Sequence, residues 1–349
     1  GESLILYGDE TCSPGCKTAR KFGYFIEWTG DISAAISELV ACENSLDKKN
    51  TVRKFSAVIL KQALPPSLDK LPRPITARER LAFRRRGQPA NERTLIPTVI
   101  PAGPTHIHPI LSFSFLDDKT LLKTAGFSSS ILYDFLIRVA GRSDIYESTL
   151  RTFPFPEGVC VQLIRNRILR LVCLTIDYAS LWGRNFSNEL NIDSWSSEYS
   201  ILQETEWSRL VRDWDVDSSF RIDIERRQAQ IEIDVLLSIA MELSINQLVE
   251  VFNVQFSTLV MYEQVDKYDS RGRRLPNTAR KDAGAKELRE ALIDHDGVTP
   301  VTVSYEIDNG NQTVTKTFYP PFNHVDRIED YKTAYRVFSE RLDIDTSKF

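Results

Sequence analysis

The spacing of apolar residues changes character near residue 157 of this chain. Before that point the apolar runs are short and broken by proline and glycine. Ser3-Leu-Ile-Leu-Tyr7 reads as a strand, and a turn follows through Cys12, Pro14, Gly15 and Cys16. Ile32, Ile36, Leu39 and Val40 repeat at helical steps, predicting a helix between Ile32 and Leu46. Pro65, Pro66, Pro72 and Pro74 make the stretch 62–75 an extended connector, because proline fixes φ and removes a donor. Leu95 to Val99 and Ile110 to Leu116 predict strands around the turn Pro101-Ala-Gly-Pro104. A helix is predicted from about Ser128 to Val139, with Ser129 or Ser130 near its cap.

Beyond residue 157 the period becomes helical. Val161 to Trp182 is apolar almost all round, which predicts a buried helix. Phe220 to Leu243 places Ile231, Val235, Ile239 and Leu243 on one face and carries the i, i+4 pairs Arg221/Glu225 and Asp223/Arg227. Val301 to Phe318 alternates around Asp308-Asn-Gly-Asn311, a strong hairpin signal. The expectation is an α+β fold in two regions. Residues 1–156 would form a strand-containing region, and residues 157–349 a mainly helical one with a late hairpin at 301–318.

Composition narrows the classes. The 349 residues are 42% hydrophobic and 10% aromatic, which excludes global disorder and suffices for two or three cores. The most apolar stretch, Leu163 to Leu181, contains Arg165, Arg167, Arg170 and Asp177, so no membrane span is expected. Five scattered cysteines point to a reducing cytoplasm rather than a disulfide framework. The start Gly1-Glu2-Ser3, without Met, reads as a tag scar or a segment of a longer protein.

The formal charge of −4 conceals segregation. Residues 71–93 hold seven arginines against Glu79 and Glu92, and residues 271–289 hold seven basic residues against Asp282 and Glu287. Residues 187–234 hold twelve acids against five arginines. Two basic segments and one acidic one fit a phosphate-facing side opposite a solvated or partner-facing one.

Candidate chemistry is sparse. Cys12-Ser-Pro-Gly-Cys16 has half the spacing of a zinc site, without a second half. Thr105-His-Ile-His-Pro109 would put two histidines on one strand face, although local hydrogen bonding explains such a pair more simply. Neither a Walker sequence nor a G-x-G-x-x-G loop occurs. Asp117-Asp-Lys119 and Asp47-Lys-Lys49 are acid-x-Lys steps of the metal-dependent nuclease kind, but they read better as solvated loops. Tyr319-Pro-Pro-Phe322 approaches the Asn/Asp-Pro-Pro-aromatic signature of amino-methyltransferases, with a phenol where that chemistry needs an amide or carboxylate oxygen. The segment from Arg78 to Arg93 says more, because it interleaves arginine with Phe83, Gln88 and Asn91. Arginine bridges phosphates or reads guanine, while Gln and Asn pair with adenine. A solvated basic loop whose arginines pair with the acidic stretch is the plainer alternative.

Arg80-Leu-Ala-Phe-Arg84 and Asn91-Glu-Arg-Thr-Leu-Ile-Pro-Thr-Val-Ile-Pro101 resemble the opening of the target-recognition region in type IIG restriction–modification enzymes and related adenine-N6 DNA methyltransferases of phage-defence systems. The resemblance continues through Ser130 to Arg138, with Asp134, Phe135 and Arg138, and through Leu150-Arg-Thr-Phe-Pro154. Farther on it includes Arg226 to Asp234, Leu243 to Leu248, and Asp330-Tyr-Lys-Thr-Ala-Tyr-Arg336. Met241-Glu242 replaces a more open turn, and the cofactor loop and Asn-Pro-Pro-aromatic motif of the family are missing.

The resemblance therefore implies the recognition and C-terminal portion of such an enzyme, or a separate specificity subunit. Double-stranded DNA and a methyltransferase catalytic domain or subunit would be its partners, with other defence proteins as further ones. S-adenosylmethionine would bind that catalytic domain, and no residue of this chain would be catalytic, cofactor-binding or metal-binding. Arg78, Arg80, Arg84, Arg85, Arg86 and Arg93 would contact DNA, with Gln88 and Asn91 as base readers. The alternative is a protein-interaction scaffold in a defence complex, its acidic helical half binding a partner.

Overall fold

The computed structural model describes residues 3–8, 22–27, 73–141, 144–203 and 207–346. The helix expected at Ile32–Leu46, most of the proline connector, the Cys12–Cys16 pair and the Asp47 step lie outside the described residues. The fold is mixed α+β, with small separate sheets and long helices.

The chain divides into two compact units. One comprises residues 1–80 and 100–106. Its described strands are β1 (Ser3–Gly8), the antiparallel β2 (Phe22–Glu27) and the short β3 (Arg73–Pro74), which adds to the free edge of β2.

The other unit comprises residues 81–99 and 107–349. It opens on a sheet ordered β5–β4–β6, from β4 (Arg80–Arg84), β5 (Pro97–Ile100) and β6 (Ile110–Phe113). Leu81, Ala82 and Phe83 of the middle strand are all buried, so both of its faces are covered. Helix α1 (Asp118–Ser129) then runs into α2 (Ile131–Val139). The helix expected over about 128–139 is α2, and it begins after Ser130, which is extended with ψ of 150°. Its N–H donates to the Phe127 carbonyl at 3.1 Å, and its hydroxyl accepts from the Leu132 amide at 3.1 Å. One residue thus closes the first helix and caps the second.

The helix expected from Val161 to Trp182 is divided in two. Helix α3 (Val159–Val172) ends at Cys173, whose carbonyl is taken by the Trp214 indole N–H at 2.8 Å, and α4 (Ala179–Asn185) follows. Helix α5 (Asp223–Ala240) is the central element, with Ile231, Ile233, Val235, Leu236 and Leu237 fully buried. Helices α6 (Ile245–Gln255) and α7 (Ser257–Val265) follow it. A short strand β7 (Lys267–Tyr268) precedes α8 (Ala285–Ala291), the hairpin β8 (Val301–Ile307) to β9 (Gln312–Phe318), and β10 (Asn323–His324), which returns to pair with β7. The hairpin occupies the expected 301–318 and turns through Asp308 and Gly310, both at positive φ. Helix α9 (Arg327–Arg341), capped by Asp326, closes the described chain.

The expected division at residue 156 does not coincide with a boundary between cores. One hydrophobic cluster runs from Leu81 to Phe338 across it, and α1 packs directly on α3. At Gly126 the approach is close enough that a Cβ would sit 2.4 Å from Ile164 Cγ2. The change in texture at 157 marks a change of element type inside one core.

Several charges within this core are paired, whereas the buried Arg170 donates to the Ser218 and Asp217 carbonyls. Arg167 meets Asp193 at 2.9 Å and also Glu232, while Arg227 meets Glu263 at 2.8 Å and also Asp330. Arg327 donates to Glu263 at 2.7 Å, to Asp234 at 3.1 Å and to the Tyr331 hydroxyl at 2.8 Å; that hydroxyl in turn donates to Asp234 at 2.7 Å. Asp193, Glu232 and Asp234 of the acidic stretch therefore face inward, as counter-charges for arginines on α3 and α9.

Candidate nucleic-acid interface

The arginines between residues 78 and 93 look alike in sequence and separate in space. Arg78 is half-buried and has an interaction within the chain. Arg80 begins β4 and is 2% exposed; its guanidinium donates to the Pro104 carbonyl, and burial draws its pKa below the ordinary arginine value. Arg84 closes the strand, its amide bonded to the Ile96 carbonyl at 3.2 Å. Its side chain is half-buried, and among the described residues its Nε and Nη2 have no acceptor although both are enclosed. Arg85 is fixed through its backbone, which accepts from Ile145 N and donates to Pro109 O, each at 2.8 Å. Its guanidinium donates to His108 Nε2 and lies 5.0 Å from the Tyr146 ring centroid. Arg86 projects outward with its side chain 89% exposed, 4.0 Å from Asp144.

Past Gly87 the chain makes a tight loop carrying the two amide side chains. Asn91 N donates to the Gln88 carbonyl at 3.0 Å, and Asn91 Nδ2 donates to Gln88 Oε1 at 3.2 Å. Gln88 is exposed and Asn91 half-buried. The loop's carbonyls are held from the helical side. Arg138 on α2 donates to the carbonyls of Pro89 at 3.1 Å, Asn91 at 3.1 Å and Glu92 at 3.2 Å, and also to that of Gln255. Thr258 on α7 donates its hydroxyl to the Ala90 carbonyl at 2.9 Å. The Glu92 carboxylate receives Arg280 at 2.9 Å.

Arg93 turns inward. It meets Asp134 at 2.8 Å and the Ser129 carbonyl at 2.8 Å. Asp134, fully buried, also accepts from Thr94 N at 2.9 Å and from Arg138 Nε at 3.1 Å. The segments 91–94 and 130–138, separate in sequence, are thus one hydrogen-bonded unit. Arg84, Arg85, Arg86, Gln88 and Asn91 keep at least part of their side chains at the surface, whereas the guanidinium groups of Arg80 and Arg93 are engaged internally.

The second basic segment is largely neutralised in place. Arg273 meets Asp269 at 2.6 Å, Arg274 meets Asp282 at 2.7 Å, and Arg280 lies between Asp266 at 2.7 Å and Glu92. Arg271 stacks on Tyr319 with 3.6 Å to the ring centroid, so the aromatic start of Tyr319-Pro-Pro-Phe322 packs against a cation of its own chain. Asp117, from one acid-x-Lys step, is the N-cap of α1 and accepts from Thr120 N at 2.7 Å. It borders an open groove of about 990 Å³ with Asp118, Lys119, Arg184, Arg212 and Trp214, whose charges are mixed. Residues 101–109 form a loop rather than a strand, so the expected shared strand face for His106 and His108 does not exist. Among the described residues no three His, Cys, Asp or Glu side chains converge as a metal site.

Sequence reading missed Arg138, Thr258 and Arg280 as the groups that hold the loop. Arg138 stood in the resemblance, but nothing in its spacing announced carbonyls from residues 89 to 92 as its partners. Family models, curated proteins and solved structures were each compared with the chain, and none matches it.

Proposed function

We propose that this chain is the DNA-recognition portion serving an adenine-N6 DNA methyltransferase of a bacterial phage-defence system. Its catalytic domain, with S-adenosylmethionine, would lie outside this sequence, and the compartment would be the cytoplasm. The carrying observation is the run Arg84-Arg85-Arg86 at the end of β4 beside the clamped loop 88–92. Arg86 is open to solvent, and Arg84 and Arg85 keep part of their side chains at the surface. Guanidinium groups at the surface form charge-assisted hydrogen bonds with phosphodiester oxygens. Arg84, Arg85 and Arg86 are then backbone contacts, with Gln88 and Asn91 placed to reach base edges. Arg80 and Arg93 support the sheet and the loop from within.

The scaffold reading draws less support, because its acidic surface is depleted by Asp193, Glu232 and Asp234 turning inward. Fluorescence anisotropy with a labelled random-sequence duplex tests the proposal. Binding should weaken steeply as salt rises, since released counterions drive it. Absence of duplex binding at low salt, with the chain folded, would refute it.

A further inference from the structure

We infer that Gln88 and Asn91 act as one joint reader of a single adenine, and that Arg138 is the positioning residue that sets it. The inference rests on the DNA-recognition reading and adds the base. The two side-chain amides are already bonded to each other, Asn91 Nδ2 to Gln88 Oε1 at 3.2 Å. That bond uses one donor of Asn91 and the acceptor of Gln88. With that bond made, Asn91 Oδ1 and Gln88 Nε2 stay unused as an acceptor and a donor group, beside the second N–H of Asn91 and the second lone pair of Gln88 Oε1. In the major groove adenine offers N7 as acceptor and its N6 amino group as donor. Guanine offers two acceptors, cytosine a donor, and thymine an acceptor beside a methyl group. Among single bases only adenine offers an acceptor beside a donor; a G·C pair offers that combination only across both of its bases, guanine O6 with cytosine N4.

Such a pair discriminates only if its backbone is held. Arg138 takes the carbonyls of Pro89, Asn91 and Glu92 within 3.2 Å, and Asp134 at 3.1 Å orients its guanidinium. The Phe256 ring lies 4.1 Å beneath it. Thr258 holds the remaining carbonyl, that of Ala90. Four consecutive carbonyls are therefore fixed by α2 and α7, and the two amides leave the loop in one register. Lysine at position 138 would keep the charge but lacks the planar fork that reaches several carbonyls at once.

The test selects short duplexes, randomised over their central positions, on the full chain. The wild type should enrich a motif containing an adenine. Gln88→Ala and Asn91→Ala should each erase preference at that same position, a loss of roughly 5- to 150-fold in discrimination. Arg138→Lys should flatten that position while leaving the salt slope and binding to random duplex unchanged, a separation that simple loss of structure would not give. Thr258→Val, a milder change at the same loop, should act in the same direction and serves if Arg138→Lys fails to fold. The inference is overturned if the two amide variants erase different positions, if the erased base is not adenine, or if the adenine preference survives the folded clamp variants. A wild type that retains duplex without any motif also overturns it and leaves the DNA-binding proposal standing. A wild type that retains no duplex overturns both.

Discussion

Asp134 carries more of the local architecture than any residue in the basic segment. Its buried carboxylate neutralises Arg93 and Arg138 and accepts the Thr94 amide. Replacing it with alanine leaves two poorly solvated guanidinium groups without a counter-charge, and breaking a buried pair from one side costs about 3–5 kcal/mol. Asp134→Ala should show that loss in urea unfolding; a change within experimental scatter would mean that water reaches the site and compensates. Arg86→Ala, at an exposed side chain, should leave stability within about 0.5 kcal/mol. The contrast shows how far single residues are legible. Seven arginines in one stretch announce a charged function, but the side that Arg93 faces depends on Asp134, forty-one positions away. No local spacing encodes that.

At the scale of elements, periodicity located α5 and the hairpin and overran the end of α3. Val161 to Trp182 is apolar on both sides of Cys173, so the break has no hydropathy signature. It is made by Trp214, which takes the Cys173 carbonyl from elsewhere in the chain. Ser130 was visible as a capping residue but not as the end of a preceding helix.

Helix α8 tests the packing under the hairpin. Gly284 at its N-cap has φ of +80°, and a Cβ there would lie 2.4 Å from the Tyr305 ring. Gly284→Ala should therefore destabilise by at least about 1–3 kcal/mol from backbone strain alone, read as a lowered thermal midpoint. The buried charges on α5, α7 and α9 give the fold an acid limit. Burial alone would raise the Glu263 pKa, but Arg327 and Arg227 outweigh it and hold the carboxyl below the ordinary range. A carboxylate with a depressed folded pKa contributes stability that is fully present above its unfolded value, about 4.3, and is lost as pH falls through the folded one. Stability should thus decline at acid pH. Glu263→Gln should reduce that pH dependence while lowering stability near neutrality, and an unaltered acid slope would contradict the assignment.

For the whole molecule, the mixed α+β class followed from the order of short strands and long periodic helices. The division at 156 did not, because α1 and α3 close one core across it. The proposed function expects S-adenosylmethionine on a domain outside this sequence, and no segment of the sequence supplies a glycine-rich cradle beside an Asn-Pro-Pro-aromatic motif. Calorimetry should accordingly detect no appreciable binding of S-adenosylmethionine to this chain, and micromolar binding would move the catalytic site into it.

The central claim is that Arg84-Arg85-Arg86 faces a nucleic-acid backbone, and its most direct measurement is the salt slope of duplex binding in the Arg84→Ala/Arg86→Ala double variant. Each lost phosphate contact removes about 0.9 from the slope of log affinity against log salt. The account predicts a slope shallower by about 1.8 on every duplex tested, with the fold intact by circular dichroism. An affinity and slope equal to those of the unaltered chain would contradict it.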